Sequence, residues 1–320
     1  MSRLHLTLQT ITPLLMYGAY NKDGRSNSSL QAQPELRATS IRGVLRYWLR
    51  AALGAEYNGS PSLVYEAESA ILGNTGRGSR VGVRVLWRKE EMQPTEKQTV
   101  LPRKTSKGHL LQHTAFPPKS RFHLYLTTHP LDTGDVFAPG APLIKALFLM
   151  THFGGLGRRA RRGSGNVCVR QADGYEGTPQ LDLFPKDRDE LAQHLREVAN
   201  YITSEVVTLP YRPKFPVFAG NTAVVLVGKS AYPSYEDAFD ELWRVSGSYH
   251  HEGSIFGGTR PRRASAIHMR VAETKAGCVP LQTILYSGHG KWKRMQEYIA
   301  HCQQNGFEAI YGDGAWEDWA

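Results

Sequence analysis

ILGNTGRGSRVGVRV, residues 71–85, and IFGGTRPRRASAIHMRV, residues 255–271, run in step along the chain. Each opens on Ile, an apolar residue and Gly. Each then passes a small residue and Thr, turns through glycine or arginine, and ends in a strand pattern that carries Arg-Val. A two-residue gap brings them into line. Their surroundings agree as well. Upstream of the first lies Leu4-His5-Leu6-Thr7-Leu8, whose period-two alternation predicts a strand. ELRATSIRGVLRYWLRAALG, residues 35–54, follows. Ile41, Leu45, Trp48 and Ala52 fall on one helical face there, with Thr39 or Ser40 placed to cap the helix and Gly54 to end it. Upstream of the second copy lie a strand pattern at Ala223–Val227 and a helix pattern at Tyr235–Val245. The two stretches predict duplication of one unit.

Downstream of each copy the unit is completed. The first copy supplies a strand at Val81–Trp87. Phe122–Thr127 (strand), Pro142–Phe153 (an apolar helix with Pro in its first turn) and Val167–Val169 (strand) come after it. The second supplies a strand at Ala266–Val271. A strand at Gln282–Tyr286, a helix at Trp292–Cys302 and a strand at Glu308–Tyr311 come after it. Strand, helix, strand, strand, helix, strand is the ferredoxin-like order. The sequence therefore predicts an α+β protein of two tandem ferredoxin-like (RRM-like) domains. Residues 1–172 form a basic domain with a glycine/arginine-rich loop. Residues 173–320 form the other, led by a linker over 173–215 with one helix near Arg188–Tyr201. A chain of 320 residues suits two domains of roughly 150 each. Gly18–Ser29 reads as a polar loop, and residues 89–119 are too long for a plain turn.

Charge is uneven. Residues 1–172 hold 24 Lys and Arg against 10 Asp and Glu, a balance of +14; residues 173–320 hold 15 against 19, a balance of −4. A half-chain this basic points to a polyanionic partner. Cys168, Cys278 and Cys302 form no C-x-x-C pair, which argues against a zinc ribbon or a disulfide framework and fits a reducing, cytoplasmic setting. The start of the chain lacks the pattern of a signal peptide, and no run of about 18 apolar residues predicts a membrane span.

The densest charge lies in HFGGLGRRARRGSGN, residues 152–166. Gly154, Gly155 and Gly157 precede Arg158, Arg159, Arg161 and Arg162, and Gly163 and Gly165 follow. Glycine allows close backbone approach, and guanidinium forks match phosphate oxygens. The expectation is a loop that cradles a phosphodiester chain. No G-K-[ST] follows the glycines, so a nucleotide P-loop is not indicated. Arg42, Arg46 and Arg50 recur every four residues on the first helix and read as a second phosphate contact near a helix start. Arg77, Arg80, Arg260, Arg262 and Arg263 are candidates for contact with RNA or a neighbouring subunit. No cofactor or metal set is indicated. His152 beside the loop, and Asp132 with Asp135, are the residues a hidden nuclease would use.

Several of these strings together resemble the RAMP superfamily of CRISPR-associated proteins. ITPLLMYGA at 11–19, ELRATSIRGVLRYWLRA at 35–51, ILGNTGRGS at 71–79 and the glycine-rich loop follow that superfamily's order, and FGGTRPRRAS at 256–265 most resembles subunit one of type III-B (Cmr) effector complexes. The resemblance implies two ferredoxin-like domains and a non-catalytic RNA-binding subunit in antiviral defence. It implies a place near the 3′ region of the guide RNA, with contacts to guide RNA, paired target RNA and other RAMP subunits. It also places a thumb-like hairpin of related subunits at 89–119. Two other readings stay open: a RAMP-type guide-processing endoribonuclease, and a structural assembly subunit.

Overall fold

The computed structural model describes residues 2–18, 34–104, 110–128, 140–203, 208–210, 212–250, 252–259, 262–285 and 292–312. The first unit runs β1 (Ser2–Thr10), α1 (Ala38–Glu56), α2 (Pro61–Leu72), β2 (Val81–Leu86), β3 (Glu96–Lys104), β4 (Leu110–Ala115), β5 (Arg121–Thr128), α3 (Gly140–Phe148) and β6 (Val167–Asp173). A single π-helical turn, Leu149–Phe153, extends α3. Then α4 (Arg188–Ile202) leads into β7 (Ala223–Gly228), α5 (Tyr235–Ser246), α6 (Gly253–Phe256), β8 (Gly258–Thr259), β9 (Arg262–Arg263), β10 (Ile267–Thr274), β11 (Gly277–Leu285), α7 (Trp292–Gln304) and β12 (Phe307–Tyr311).

Two four-stranded antiparallel sheets result, ordered β2-β5-β1-β6 and β10-β11-β7-β12. Both have the ferredoxin-like arrangement, first strand beside third and fourth. The echo also has a structural counterpart. Ile71-Leu72 closes α2 and Ile255-Phe256 closes α6, and each helix ends on a glycine of nearly the same left-handed conformation, Gly73 (φ 72, ψ 168) and Gly257 (φ 78, ψ 167).

Alternation explains the first sheet. Leu4, Leu6 and Leu8 of β1 and Phe122, Leu124 and Leu126 of β5 point to one side, where Ile41, Leu45, Trp48 and Leu49 of α1 cover them. The second sheet is buried on both sides. Val224 and Leu226 of β7 face Phe239 and Leu242 of α5. Val225 and Val227 face the first unit's core, which takes in Leu191, Leu195 and Val198 of α4. Asp187 caps α4 by accepting from the Asp189 and Glu190 amides. The linker helix is thus part of the core that joins the two units.

Three sequence expectations are corrected. First, α1 begins two or three residues early: Arg37 takes the cap position without a side-chain cap bond, so neither Thr39 nor Ser40 caps it. Second, Gly54 lies inside α1, where a Cβ would sit 2.6 Å from the Val217 side chain, so packing demands it. Third, α2 went unpredicted. It pulls in the Arg42/Arg46/Arg50 stripe. Arg46 and Arg50 pair with the fully buried Glu68 carboxylate of α2, and Arg42 and Arg46 donate to the Leu72 carbonyl. A buried carboxylate needs a cation, and these arginines supply it. Residues 89–119, too long for a plain turn and the place where the resemblance implies a thumb-like hairpin, contain the β3–β4 hairpin. Asp132 and Asp135 lie outside the described residues.

Among the described residues no helix is long and apolar enough to cross a membrane, and no group of three metal-ligating side chains forms. The three cysteines are free. Replacing Glu68 with Ala is expected to lower stability by about 2 kcal/mol. That is less than the full cost of breaking a buried pair, because Arg46 and Arg50 keep contact with water. Urea denaturation of the two chains checks it.

Candidate nucleic-acid interface

A cleft of about 830 Å³ opens where the two units meet. Three stretches singled out in the sequence build it: one face of α1, the glycine–arginine loop, and the Phe256–Ser265 signature. From α1 come Ser40, Gly43, Val44 and Tyr47, spaced i, i+3, i+4 and i+7. The small residues leave the cleft open; a Cβ on Gly43 would meet nothing within 4 Å.

The loop is closed upon itself and upon residues 13–15. Leu156 N–H donates to Gly165 O (2.8 Å), Gly165 N–H to Pro13 O (2.8 Å) and Arg158 N–H to Leu15 O (2.7 Å). Its glycines serve this packing more than ligand approach, which corrects the expectation drawn from them. Gly154 lies against the Trp48 ring, where a Cβ would come within 2.5 Å. Gly165 has φ +68 and presses on the Leu156 carbonyl, so no side chain fits. A Cβ on Gly163 would strike the Phe239 ring. Gly155 and Gly157 do line the cleft.

The arginines have separate fates. Arg161 donates to Ser265 O (2.6 Å) and lies over the Tyr47 ring, 4.9 Å from its centroid. Arg162 donates to Phe256 O (2.7 Å) and lies 5.2 Å from the Phe256 centroid. Arg159 is half-buried with φ +62, rare outside glycine, and its buried Nε has no partner among the described residues. Arg158 is exposed beside it. Burial lowers the pKa of Arg159 and of Arg162, and in each case a neighbouring arginine adds to it. Among the described residues, no carboxylate lines the cleft and none pairs with Arg158, Arg159, Arg161 or Arg162. The Arg161 and Arg162 charges are tied to carbonyls and rings, which hold a guanidinium in place without neutralising it.

Tyr47 and His268 went unrecognised in the sequence. The Tyr47 hydroxyl lies 3.0 Å from His268 Nε2 on the cleft floor, and the Trp48 ring packs against His268 at 4.8 Å. Burial, then Arg161, pushes the His268 pKa well below the ordinary range; burial pushes the Tyr47 pKa up. The signal for Tyr47 was its i+7 spacing from Ser40 along a line of small residues. Nothing local marked His268, which arrives by register of β10. His152 does not reach the cleft. Its ring sits 3.3 Å from His194 of α4, and burial, then His194 and Arg270, holds its pKa well down. Arg77 and Arg80 lie in the turn after α2, away from the cleft lining. Arg262 and Arg263 form β9, paired with β8, and Arg260 lies outside the described residues.

Two groups lock the second unit onto the loop. Arg270 of β10 is buried and donates to Gly154 O (2.7 Å) and Val167 O (2.6 Å). Asn166 Oδ1 accepts from the Val271 amide (2.9 Å).

The sequence model of the RAMP superfamily matches residues 7–168, which hold α1 and the whole loop. This chain belongs to the RAMP superfamily. One RAMP relative, the CRISPR system Cmr subunit Cmr1-2 of Pyrococcus furiosus, is 28% identical over 194 residues, 51% of this chain and 92% of its own length. The crystal structure of apo Cmr1 from Pyrococcus furiosus superposes with TM-score 0.69 at 16% identity, covering 99% of this chain and 100% of that one. A chain of the type III-B Cmr-beta complex bound to cognate target RNA gives TM-score 0.62 at 10% identity, covering 95% of this chain and 99% of that one. The two structures share this RAMP protein's fold.

His152 and His268 sit neutral in the folded chain, whereas an unfolded histidine binds a proton near pH 6.5. Below that pH the unfolded state takes up more protons, so stability falls as pH drops through 6.5 and is full above it. The urea midpoint is expected to fall between pH 7.5 and 5.5. The His268→Gln chain should show a shallower fall.

Proposed function

We propose that this chain is a non-catalytic RNA-binding subunit of a type III-B CRISPR effector ribonucleoprotein in the cytoplasm, acting in antiviral defence. Its cleft contacts the 3′ region of the guide RNA and the target RNA paired to it, and its neighbours are other RAMP subunits. The observation that carries this reading is a concave surface with three arginines and, among the described residues, no acid on its lining. Exposed Arg158 and half-buried Arg159 supply phosphate contacts. Arg161 and Arg162 hold the walls and set the local potential. RAMP membership, the likeness to Cmr1 proteins and the likeness to a chain of a Cmr-beta complex bound to cognate target RNA support this reading.

On this reading residues 1–172 and 173–320 act as two domains that each supply walls of the cleft holding one strand. Arg42, Arg46 and Arg50 leave the phosphate set and become part of the scaffold, since Arg46 and Arg50 pair with Glu68 and Arg42 donates to the Leu72 carbonyl. Arg77, Arg80, Arg260, Arg262 and Arg263 contact a flanking stretch of RNA or the adjoining subunit. The endoribonuclease reading loses its favoured base, because His152 is bonded to His194 away from the cleft.

Replacing Arg158 and Arg159 with Ala is expected to weaken single-stranded RNA binding and to reduce the slope of log affinity against log salt by about 1.4, two phosphates at roughly 0.7 each. Fluorescence anisotropy over a salt series reads both. An unchanged slope removes the loop from the interface. The purified chain should leave repeat-containing RNA intact with or without EDTA; site-specific cuts that vanish in His152→Ala would restore the nuclease reading.

A further inference from the structure

The two sheets share a topology but not an environment. The second is covered on both faces, one by α5 and α7 and the other by α4 and the first unit's core. Among the described residues the first is covered by its helices on one face, while on the other the second unit covers the end at Gln9, Ile11 and Cys168. Its outer face carries exposed Arg3, Arg84, Arg121, Gln171 and Asp173, with half-exposed His5, Thr7, Tyr125 and His123 among them.

Register sets these side chains in rows. Arg84, Tyr125, His5 and Asp173 stand side by side across all four strands. Leu86, His123, Thr7 and Gln171 form the next row. At a strand spacing of ~4.8 Å each row is about 14 Å wide. Within the first row the His5 ring stacks on Tyr125, centroids 4.4 Å apart and planes 7° from parallel. Arg3 lies over the same Tyr125 ring at 4.8 Å.

A line of hydrogen bonds joins the rows. Asp173 Oδ2 meets His5 Nδ1 (2.8 Å), His5 Nε2 meets His123 Nδ1 (3.0 Å), and His123 Nε2 meets Glu91 Oε2 (2.9 Å). Each carboxylate thus faces an imidazole nitrogen, and the two rings face each other. Both carboxylates of this face are thereby taken up by imidazoles. Arg3, Arg84 and Arg121 keep their charge: among the described residues none of them meets a carboxylate, and Arg121 donates only to the neutral Gln9 side chain (2.9 Å).

We propose that the outer face of the first sheet is a second binding surface for single-stranded RNA, separate from the cleft. Phosphates lie on Arg3, Arg84 and Arg121, and a base lies on the Arg3–Tyr125–His5 stack. Uncompensated guanidinium groups beside planar rings on the two central strands of a ferredoxin-like sheet suit an unstacked base and its backbone. A protein partner would ask for more apolar surface than the single large aliphatic side chain in these rows, Leu86, provides.

The test uses the full chain with photoreactive thiouridine poly-uridine, mapping crosslinked peptides by mass spectrometry. Crosslinks are expected within Ser2–Thr10 and Arg121–Thr128, and they should persist when Arg158 and Arg159 are both changed to Ala. That persistence separates this surface from the cleft. Changing Arg84 to Glu together with Tyr125 to Ala should weaken anisotropy-measured binding about tenfold. Arg84→Glu alone, at an exposed edge position, should weaken it less and keep the melting temperature. Unchanged affinity without crosslinks in those two peptides overturns the proposal. So does loss of a neighbouring subunit from the assembled complex with RNA affinity intact, which would make the face a protein interface.

Discussion

Arg270 holds the molecule together at the junction of its two units. Its guanidinium sits out of water between the units, bonded to the Gly154 and Val167 carbonyls at the two ends of the glycine–arginine loop. Burial lowers its pKa to about 10, which leaves it charged at neutral pH. An uncompensated buried cation is costly, and the two carbonyl bonds offset part of that cost. Through this contact β10 holds both ends of the loop, beside the Met269 amide's bond to Arg161 O (3.3 Å), and the cleft takes its walls from both units. Asn166, one residue before Val167, repeats the link through the Val271 amide.

The shared sheet order of the two units carries one difference with a consequence for the cleft. In the first unit the carbonyl that closes α2, Leu72 O, is served by Arg42 and Arg46 of its own α1. In the second unit the matching carbonyl, Phe256 O, is served by Arg162 from the first unit's loop. The same backbone need, an unsatisfied acceptor at a helix end, is met once within a unit and once between units. That second solution draws the loop arginines across the junction and positions them as walls.

Much of this was legible in the sequence. The strand and helix order of both units followed from periodicity, and the paired stretches at Ile71 and Ile255 revealed the repeat because a helix-ending glycine is irreplaceable in each. The loop was visible from charge density. The features that escaped depended on tertiary partners. A four-residue arginine spacing reads alike whether its charges meet solvent or a carboxylate, and Glu68 sits on a helix that the pattern did not disclose. Glycines needed for packing against Trp48, Phe239 and Leu156 look the same as glycines needed by a ligand. Tyr47 and His268 are separated by 221 positions in the chain and meet only after both units close.

The linker helix α4 carries a consequence for how the cleft meets its guest. Leu191, Leu195 and Val198 sit in the same continuous core as β1, α1 and β7, so the two units form one solid body and cannot hinge like jaws. On the proposed reading, a strand arriving there finds a slot already cut to size. Little ordering entropy is lost on docking, and discrimination rests on whether the incoming shape fits a mould that does not yield.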